Sequence, residues 1–430
     1  MTARSVAALA GFILLFAGGS EAQQSTRLPD RDKPLTERPV QKFAIGAEDG
    51  EDWELLSGVR QVAFDAQDNL YVLDGNNQRV LVFDGSGRFV RQIGKRGGGP
   101  GELLAPLAMT VSKEGQVVIA DLGRRGYSLF KTDGTFVKNL PFEGESMPGL
   151  GGGAGIKPHP NGGIVARTSE NLMVRASENT GARIAAMGTS TGERPTMFQW
   201  VNLSTGKTTD LFKVVLPPLE QKISESGGAG GQERRFSVVR RQPVFTPAFN
   251  FGVLPNGSVA VVHEAPYTIN IGRDGKLERT ITRAITPRKP TDADKKRMVE
   301  RMRENMKNGG GAVAVRMTNG SASVTTGVGP DRDIPSVDQL LRENTFLDAI
   351  PVIRKLEIDP AGRIWVGRTA ADFGDVGPID LIAQDGRYIG TISAERVPDA
   401  VSPGNRAAYI VRNDLGVEQV VVKQLPASWR

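Results

Sequence analysis

The chain has 430 residues, a formal net charge of +6, no cysteine and two histidines. These counts exclude disulfides, iron–sulfur clusters, thiol nucleophiles, thiolate zinc sites and a three-histidine metal centre. With 52 glycines, 39% hydrophobic and 6% aromatic residues, the composition indicates a soluble chain that is rich in turns. The positive charge is spread along the chain, so we expect no nucleic-acid partner.

Residues 1–22 have the pattern of a secretory signal peptide. Arg4 precedes the apolar run Val6–Ala17, which is shorter than the about 20 residues of a membrane span. Small residues at Ser20 and Ala22 follow, at the positions that signal peptidase recognises. We therefore expect a periplasmic or extracellular protein without a membrane span after cleavage, and the alternative is an uncleaved anchor. Residues 23–39 are expected to be a linker.

A repeat of two consecutive hairpins runs through the rest of the chain. Turn residues separate β-rich runs in the first hairpins at Asp68, Gly115, Gly162, Gly257 and Gly362. Second hairpins turn at Asp84–Gly87, Asp133–Gly134, Asp274–Gly275 and Asp385–Gly386. Gly, Asn and Asp favour such turns because they tolerate positive φ. Two hairpins form a four-stranded antiparallel meander, which is one blade of a propeller.

The last copy of the repeat, over 406–425, lacks a fourth strand of its own. The early segment Val40–Ile45 has β character and no blade, so we expect it to complete this sheet and close the ring. The sequence thus predicts an all-β, six-bladed β-propeller of four-stranded antiparallel blades over residues 40–430.

Two insertions interrupt this pattern, at 168–243 in blade three and at 284–349 between blades four and five. In the second, Thr291–Asp294 resembles a capping box and predicts a helix that ends near Asn308. Its methionines recur every fourth residue and form one apolar stripe. We expect little regular structure over 309–330, and a role for the insertion as a lid over the binding face.

Blade one carries a family resemblance. The segment Tyr71–Phe83, followed by Gly94–Pro106, resembles the NHL repeat and the NHL-like six-bladed propellers of secreted bacterial proteins, within the TolB-like propeller superfamily. The resemblance implies structural roles, tying each blade together, for Asp74, Asn77 and Arg79 and for their counterpart Asp121 in blade two. Over residues 57–140 the resemblance includes specific motif residues, whereas elsewhere in the mature chain it is limited to the turn glycines and the strand pattern. It predicts the fold far better than the function, because one propeller scaffold hosts many functions.

No motif in the chain predicts catalysis, a metal site or a cofactor. Gly94–Gly99 is rich in glycine, but proline and a β pattern follow where a phosphate loop requires a helix. His263 falls where blades one and two carry Asp74 and Asp121, so we expect it to be a hydrogen-bonded substitute for aspartate rather than a metal ligand. The repeated position of the two aspartates favours a structural hydrogen bond over a catalytic carboxylate pair.

The innermost strands offer the candidate ligand-binding residues. Counting back from the first turns of blades one and five places Arg60 and Arg354 at corresponding positions, with Lys355 beside the latter. Two guanidinium groups at a channel mouth suit a small anionic ligand or a protein partner, and the alternative is that they are solvated surface arginines. We expect a non-enzymatic binding module. A propeller hydrolase or lyase, with acidic residues at the channel mouth, remains the second hypothesis.

Overall fold

The computed structural model describes residues 24–143, 155–169, 194–216, 220–226, 235–241, 243–307, 313–318, 321–326, 334–371, 376–393 and 395–429. The signal peptide expected at 1–22 lies outside these residues. Three short strands come first in the described chain: β1 (Gln24–Arg27), β2 (Pro34–Leu35) and β3 (Val40–Ile45). Each of them joins a sheet that is otherwise formed by residues much later in the sequence.

The first three blades follow as four-stranded antiparallel sheets. Blade one consists of β4 (Val59–Phe64), β5 (Leu70–Asp74), β6 (Arg79–Phe83) and β7 (Phe89–Ile93). Blade two consists of β8 (Pro106–Val111), β9 (Gln116–Asp121), β10 (Gly126–Lys131) and β11 (Phe136–Pro141). Blade three consists of β12 (Ile156–Pro158), β13 (Ile164–Ser169), β14 (Arg194–Val201) and β15 (Thr208–Leu216). The first strand of each blade is the innermost one.

The remaining blades are separated by additional elements. After the hairpin β16 (Glu220–Ser226) and β17 (Arg235–Arg241), blade four has β18 (Asn250–Val253), β19 (Val259–Val262), β20 (Thr268–Arg273) and β21 (Lys276–Thr282). Next come α1 (Asp292–Lys307), β22 (Val313–Thr318), β23 (Ser321–Thr326) and α2 (Val337–Glu343). Blade five has β24 (Ile353–Ile358), β25 (Ile364–Arg368), β26 (Ile379–Ile382) and β27 (Tyr388–Ile392). Blade six has β28 (Ala400–Val401), β29 (Arg406–Arg412) and β30 (Glu418–Gln424).

The predicted six-bladed fold is confirmed, and local turn chemistry explains its hairpins. Asp68 has a φ of 62° and Gly115 a φ of 74°, in the left-handed region that Asp and Gly tolerate. The core lies between neighbouring blades. In one such cluster Leu73 and Val80 of blade one pack against Met109 of blade two, and all three are buried.

The predicted closing strand is also confirmed. β3 pairs antiparallel with β30, from Val40 opposite Gln424 to Ile45 opposite Val420. Ile45 is buried in the cluster that contains Val420 and Val422. The first and last parts of the propeller therefore share one sheet, and β3 supplies the fourth, outermost strand of blade six.

Residues 24–39, within the segment expected to be a linker, instead form an N-terminal strap. β1 adds to blade four by parallel pairing with β21, and β2 adds to blade five by parallel pairing with β27. The physical reason is a set of ion pairs that the sequence does not show. Asp32 accepts hydrogen bonds from Arg283 and from Arg368, each at 2.7 Å.

The strap covers a buried charge cluster between blades four and five. The side chains of Arg283 and Asp380 are both fully buried, and Arg283 Nη1 lies 2.8 Å from Asp380 Oδ2. Thr391 Oγ1 donates to the other carboxylate oxygen at 2.7 Å. Arg283 Nε also donates to the Pro29 carbonyl of the strap at 2.9 Å. The cluster thus links the strap to two blades.

The strap should be sensitive to acid through Asp32. Partial burial alone would raise the pKa of this carboxyl, but hydrogen bonds and ion pairs with Arg368 and Arg283 outweigh it and lower the pKa. A carboxyl with a lowered folded-state pKa stabilises the fold above its unfolded pKa of about 3.9, and this contribution is lost as pH falls through the folded pKa. Asp32→Asn should therefore lower the free energy of unfolding near pH 7. In urea titrations at several pH values, the difference from wild type should begin to shrink as pH falls below about 4 and vanish below the lowered folded-state pKa. A difference that does not depend on pH would contradict this.

The insertion at 168–243 is smaller than expected, because β14 and β15 belong to blade three. Residues 170–193 separate β14 from β13, so the regular spacing of the repeat is interrupted in the sequence between these two strands. Segment 309–330, where we expect little regular structure, contains the hairpin of β22 and β23, paired from Val313–Thr326 to Thr318–Ser321.

The predicted helix in the second insertion is confirmed as α1. Its capping box is formed, since Asp294 N donates to Thr291 Oγ1 at 3.2 Å and Thr291 N to Asp294 Oδ2 at 2.8 Å. Met298 and Met302 pack against a small cluster that includes the buried Phe245. The methionine stripe therefore contacts the chain itself. Across the described ranges, no helix has the length and apolar character that a membrane crossing requires.

Candidate functional site

Asp74 fixes the segment that leads into blade one. Its Oδ1 accepts from Ser57 N at 3.0 Å, and its Oδ2 accepts from Asn77 Nδ2 at 2.8 Å and from Arg79 Nε at 2.9 Å. Arg79 also donates to Asp52. The carboxylate is fully buried, and its hydrogen bonds hold the chain that precedes β4 against the turn after β5.

Asp121 repeats this arrangement in blade two. Its two carboxylate oxygens accept from Leu104 N at 2.8 Å and Ala105 N at 2.9 Å, which hold the connection from blade one to β8. Asp121 is as fully buried as Asp74. Both carboxylates thus hold the segment that leads into their own blade.

His263 differs from what its repeat position suggests. Its Nδ1 is buried and has no hydrogen-bond partner among the described residues, so it does not replace the aspartate by hydrogen bonding. Burial lowers the pKa of the imidazole, while the Glu264 carboxylate, 3.9 Å from Nε2, opposes this shift. His159 accepts from Asn161 N in its own turn at 3.2 Å. The described part of the chain contains no group of three or more His, Asp or Glu that could hold a metal ion.

Arg60 and Arg354 occupy matching β-bulges. Val59 and Gln61 pair with consecutive residues of β5, so Arg60 between them is the extra residue of a bulge. Arg354 is the extra residue between Ile353 and Lys355 in the same way. A bulge leaves its residue outside the ladder and redirects the side chain. Both arginines lie where an innermost strand begins. That side of the ring also receives the connections between blades, including α1 and α2, and we call it the insertion face.

Lys355, the third predicted ligand residue, has partners within the chain. Its Nζ lies 2.5 Å from Asp399 Oδ1 and 3.1 Å from the Val397 carbonyl. Because both partners precede β28, the ion pair joins blade five to the start of blade six. The sequence did not indicate this pairing, since the partner lies in a connection without a repeat position.

Arg354 lies near the helix of the second insertion. Burial lowers the pKa of its guanidinium, and the positive charge of Arg301 on α1 lowers it further. Its carbonyl accepts from Asn250 Nδ2 at 3.3 Å. α1 thus brings a second guanidinium to the part of the insertion face that carries Arg354.

Arg60 lies in a groove of about 830 Å³ between blades six and one. The described residues that line it include Glu48, Leu55, Leu56, Asn76, Asn77, Arg412, Val417 and Glu418. The Arg60 side chain lies against Gly75, where a Cβ would come within 2.3 Å of its Nε. Loss of hydration lowers the pKa of the Arg60 guanidinium.

Two charges of this groove, Arg412 and Glu418, pair with each other, whereas Arg60 is unpaired. Arg412 Nη2 donates to Glu418 Oε1 at 2.6 Å, and Val59 N donates to Glu418 Oε2 at 2.9 Å. Among the described residues none forms a hydrogen bond or ion pair with Arg60. Its guanidinium is the feature of the groove that could hold an anion, because five N–H donors remain available on it.

Further along the innermost strands, an ion pair spans the central channel. Lys157 on β12 and Glu357 on β24 lie two residues before the first turns of blades three and five, and their charged atoms are 2.7 Å apart. The two strands are separated by blade four. The pair is not evident from the sequence, because its members lie 200 positions apart in the chain.

The opposite face has a larger cavity, of about 1260 Å³, between blades four and five. Among the described residues that line it, Arg273 pairs with Glu278 at 2.8 Å. Arg279 donates to Gln24 of the strap at 3.0 Å. Two of its arginines are therefore engaged within the chain.

Comparisons with known proteins agree with the fold. A family described as "6-bladed beta-propeller" matches residues 50–143, and no curated protein matches the chain. A candidate exported protein from Bacteroides fragilis is 12% identical, with 94% of this chain and 99% of that chain covered and a TM-score of 0.41. Virginiamycin B lyase from Staphylococcus aureus is 9% identical, with 86% and 96% covered and a TM-score of 0.37. These distant likenesses carry no argument about function, and the chain is a six-bladed β-propeller that is similar, over 50–143, to this propeller family.

Proposed function

We propose that the protein is an exported binding module that holds an anionic ligand on its insertion face, with Arg60 as the main contact. The observation that carries the proposal is an unpaired guanidinium inside a groove in which Arg412 and Glu418 neutralise each other. The N-terminal signal pattern supports export, and the NHL-like pattern of blade one is consistent with a secreted propeller.

The groove suits a ligand in size and chemistry. Its volume of about 830 Å³ lies within the roughly 300–1,000 Å³ of ligand pockets. A guanidinium presents a planar fork that pairs with both oxygens of a carboxylate or phosphate. Arg60 is already partly desolvated before a ligand arrives, so less hydration is lost when an anion binds there.

The arrangement of Glu418 supports binding rather than catalysis in the groove. Glu418 is held by Arg412 and by the backbone of Val59, so both of its oxygens serve the wall of the groove. A general acid or base needs a proton-transfer position within hydrogen-bond reach of the reacting group. Because both oxygens of Glu418 already accept hydrogen bonds within the chain, its role in the groove is structural.

Replacing Arg60 with glutamine should abolish most of the anion affinity. Succinate and inorganic phosphate are suitable probes, with binding measured by isothermal titration calorimetry. We expect Arg60→Gln to weaken binding about tenfold or more, as a charged hydrogen bond is lost. The matched control is Arg88→Gln, since Arg88 lies in a turn on the opposite face and pairs with Asp84 at the surface. Absence of binding by wild type, or equal binding by Arg60→Gln, would contradict the proposal.

A further inference from the structure

The groove around Arg60 combines charge with exposed leucines. Leu55 lines the groove and is 38% exposed, and Leu415 is 74% exposed beside Gly416 and Val417, which line it from blade six. A single exposed leucine is ordinary on a protein surface. Leu55 precedes blade one and Leu415 adjoins the blade-six residues that line the groove, so together they add apolar surface near the unpaired guanidinium.

The electrostatics of the groove select against highly charged ligands. Arg412 and Glu418 neutralise each other at 2.6 Å, and Glu48 also lines the groove. A polyanion that reaches Arg60 would bring further negative charges toward Glu48. Like charges at close range disfavour such a complex, whereas one carboxylate balances Arg60.

We infer that the occupant of this groove is a peptide segment of a partner protein that carries a single carboxylate between apolar side chains. This inference rests on the proposed function and specifies its ligand. The carboxylate pairs with Arg60, and the apolar neighbours contact Leu55 and Leu415. The Asn76 carboxamide, whose Nδ2 donates to Ser57 Oγ at 3.2 Å, lies on the same wall and can exchange hydrogen bonds with a peptide backbone.

A random-peptide library displayed on phage tests the inference without assuming a sequence. Selection on the wild-type protein should enrich peptides with one Asp or Glu next to apolar residues. A parallel selection on Arg60→Gln should lose these peptides. Enrichment of polyacidic or carboxylate-free peptides, or no enrichment over an empty surface, would overturn the inference.

Two variants separate the role of the leucines from that of the anion site. For an enriched peptide, Leu415→Ser should weaken binding about fivefold, because an apolar contact is lost, while succinate should bind as it does to wild type. Leu415 is highly exposed, so the fold should be unaffected. The matched control is Val90→Ser, at a 41% exposed position on the outer strand of blade one. If Leu415→Ser binds the peptide like wild type, the peptide inference is wrong. The proposed function would stand as long as succinate binding depends on Arg60.

Discussion

Replacing Asp380 with alanine is expected to lower the free energy of unfolding by about 3–5 kcal/mol, because breaking a buried pair leaves an uncompensated charge. The Arg283 side chain is fully buried and has Asp380 Oδ2 at 2.8 Å. Arg368 Nε is a further 3.4 Å neighbour of this carboxylate. Urea denaturation followed by tryptophan fluorescence measures the loss.

The matched control is Asp30→Ala in the strap. Asp30 pairs with Arg27 at 3.3 Å, but both side chains are mostly exposed, and such surface pairs contribute about 0–1 kcal/mol. If Asp380→Ala and Asp30→Ala lose similar stability, the buried cluster does not hold the strap and the two blades together.

A chain that begins at Ala47 is expected to lose cooperative thermal unfolding. It lacks β3, so β30 becomes an exposed edge strand and the buried contacts of Ile45 with Val420 and Val422 disappear. Exposed edges of this kind invite pairing with other molecules. Calorimetry and light scattering should show a weak or absent transition together with aggregation.

A chain that begins at Arg38 provides the comparison for that truncation. It keeps β3 but loses β1, β2 and Asp32, so we expect a cooperative transition at a temperature below that of the full chain. Equal melting temperatures for the chains that begin at Arg38 and at Ala47 would show that β3 is not needed to close the ring.

Local chemistry made most of the fold predictable. The hairpin turns depend on residues such as Asp68 and Gly115, whose backbone preferences act within a few positions. The closing strand was predictable because blade six lacks a strand and Val40–Ile45 lacks a blade. The strap was not, since Asp32 and Arg283 are 251 positions apart in the sequence and meet only in the folded protein. A pattern within one segment cannot encode that contact.

The candidate site was predictable only in part, because contacts between distant segments also determine it. Repeat counting placed Arg60 and Arg354 at equivalent positions, and the structure gives both a β-bulge. What distinguishes them depends on neighbours outside the repeat. Arg301 approaches Arg354 from an insertion, and Asp399 pairs with Lys355 from a connection. The groove around Arg60 needs two blades from opposite ends of the chain.

The pairing of Val40 with Gln424 also sets the order in which the molecule can be completed. The early strand β3 has to wait for β30, so the contacts between them have a very large sequence separation and are slow to form. A chain released early from the ribosome keeps an open ring with an unpaired β-sheet edge. We expect such fragments to be recognised by proteases and chaperones, so that closure of the ring acts as a check that the whole chain has been made.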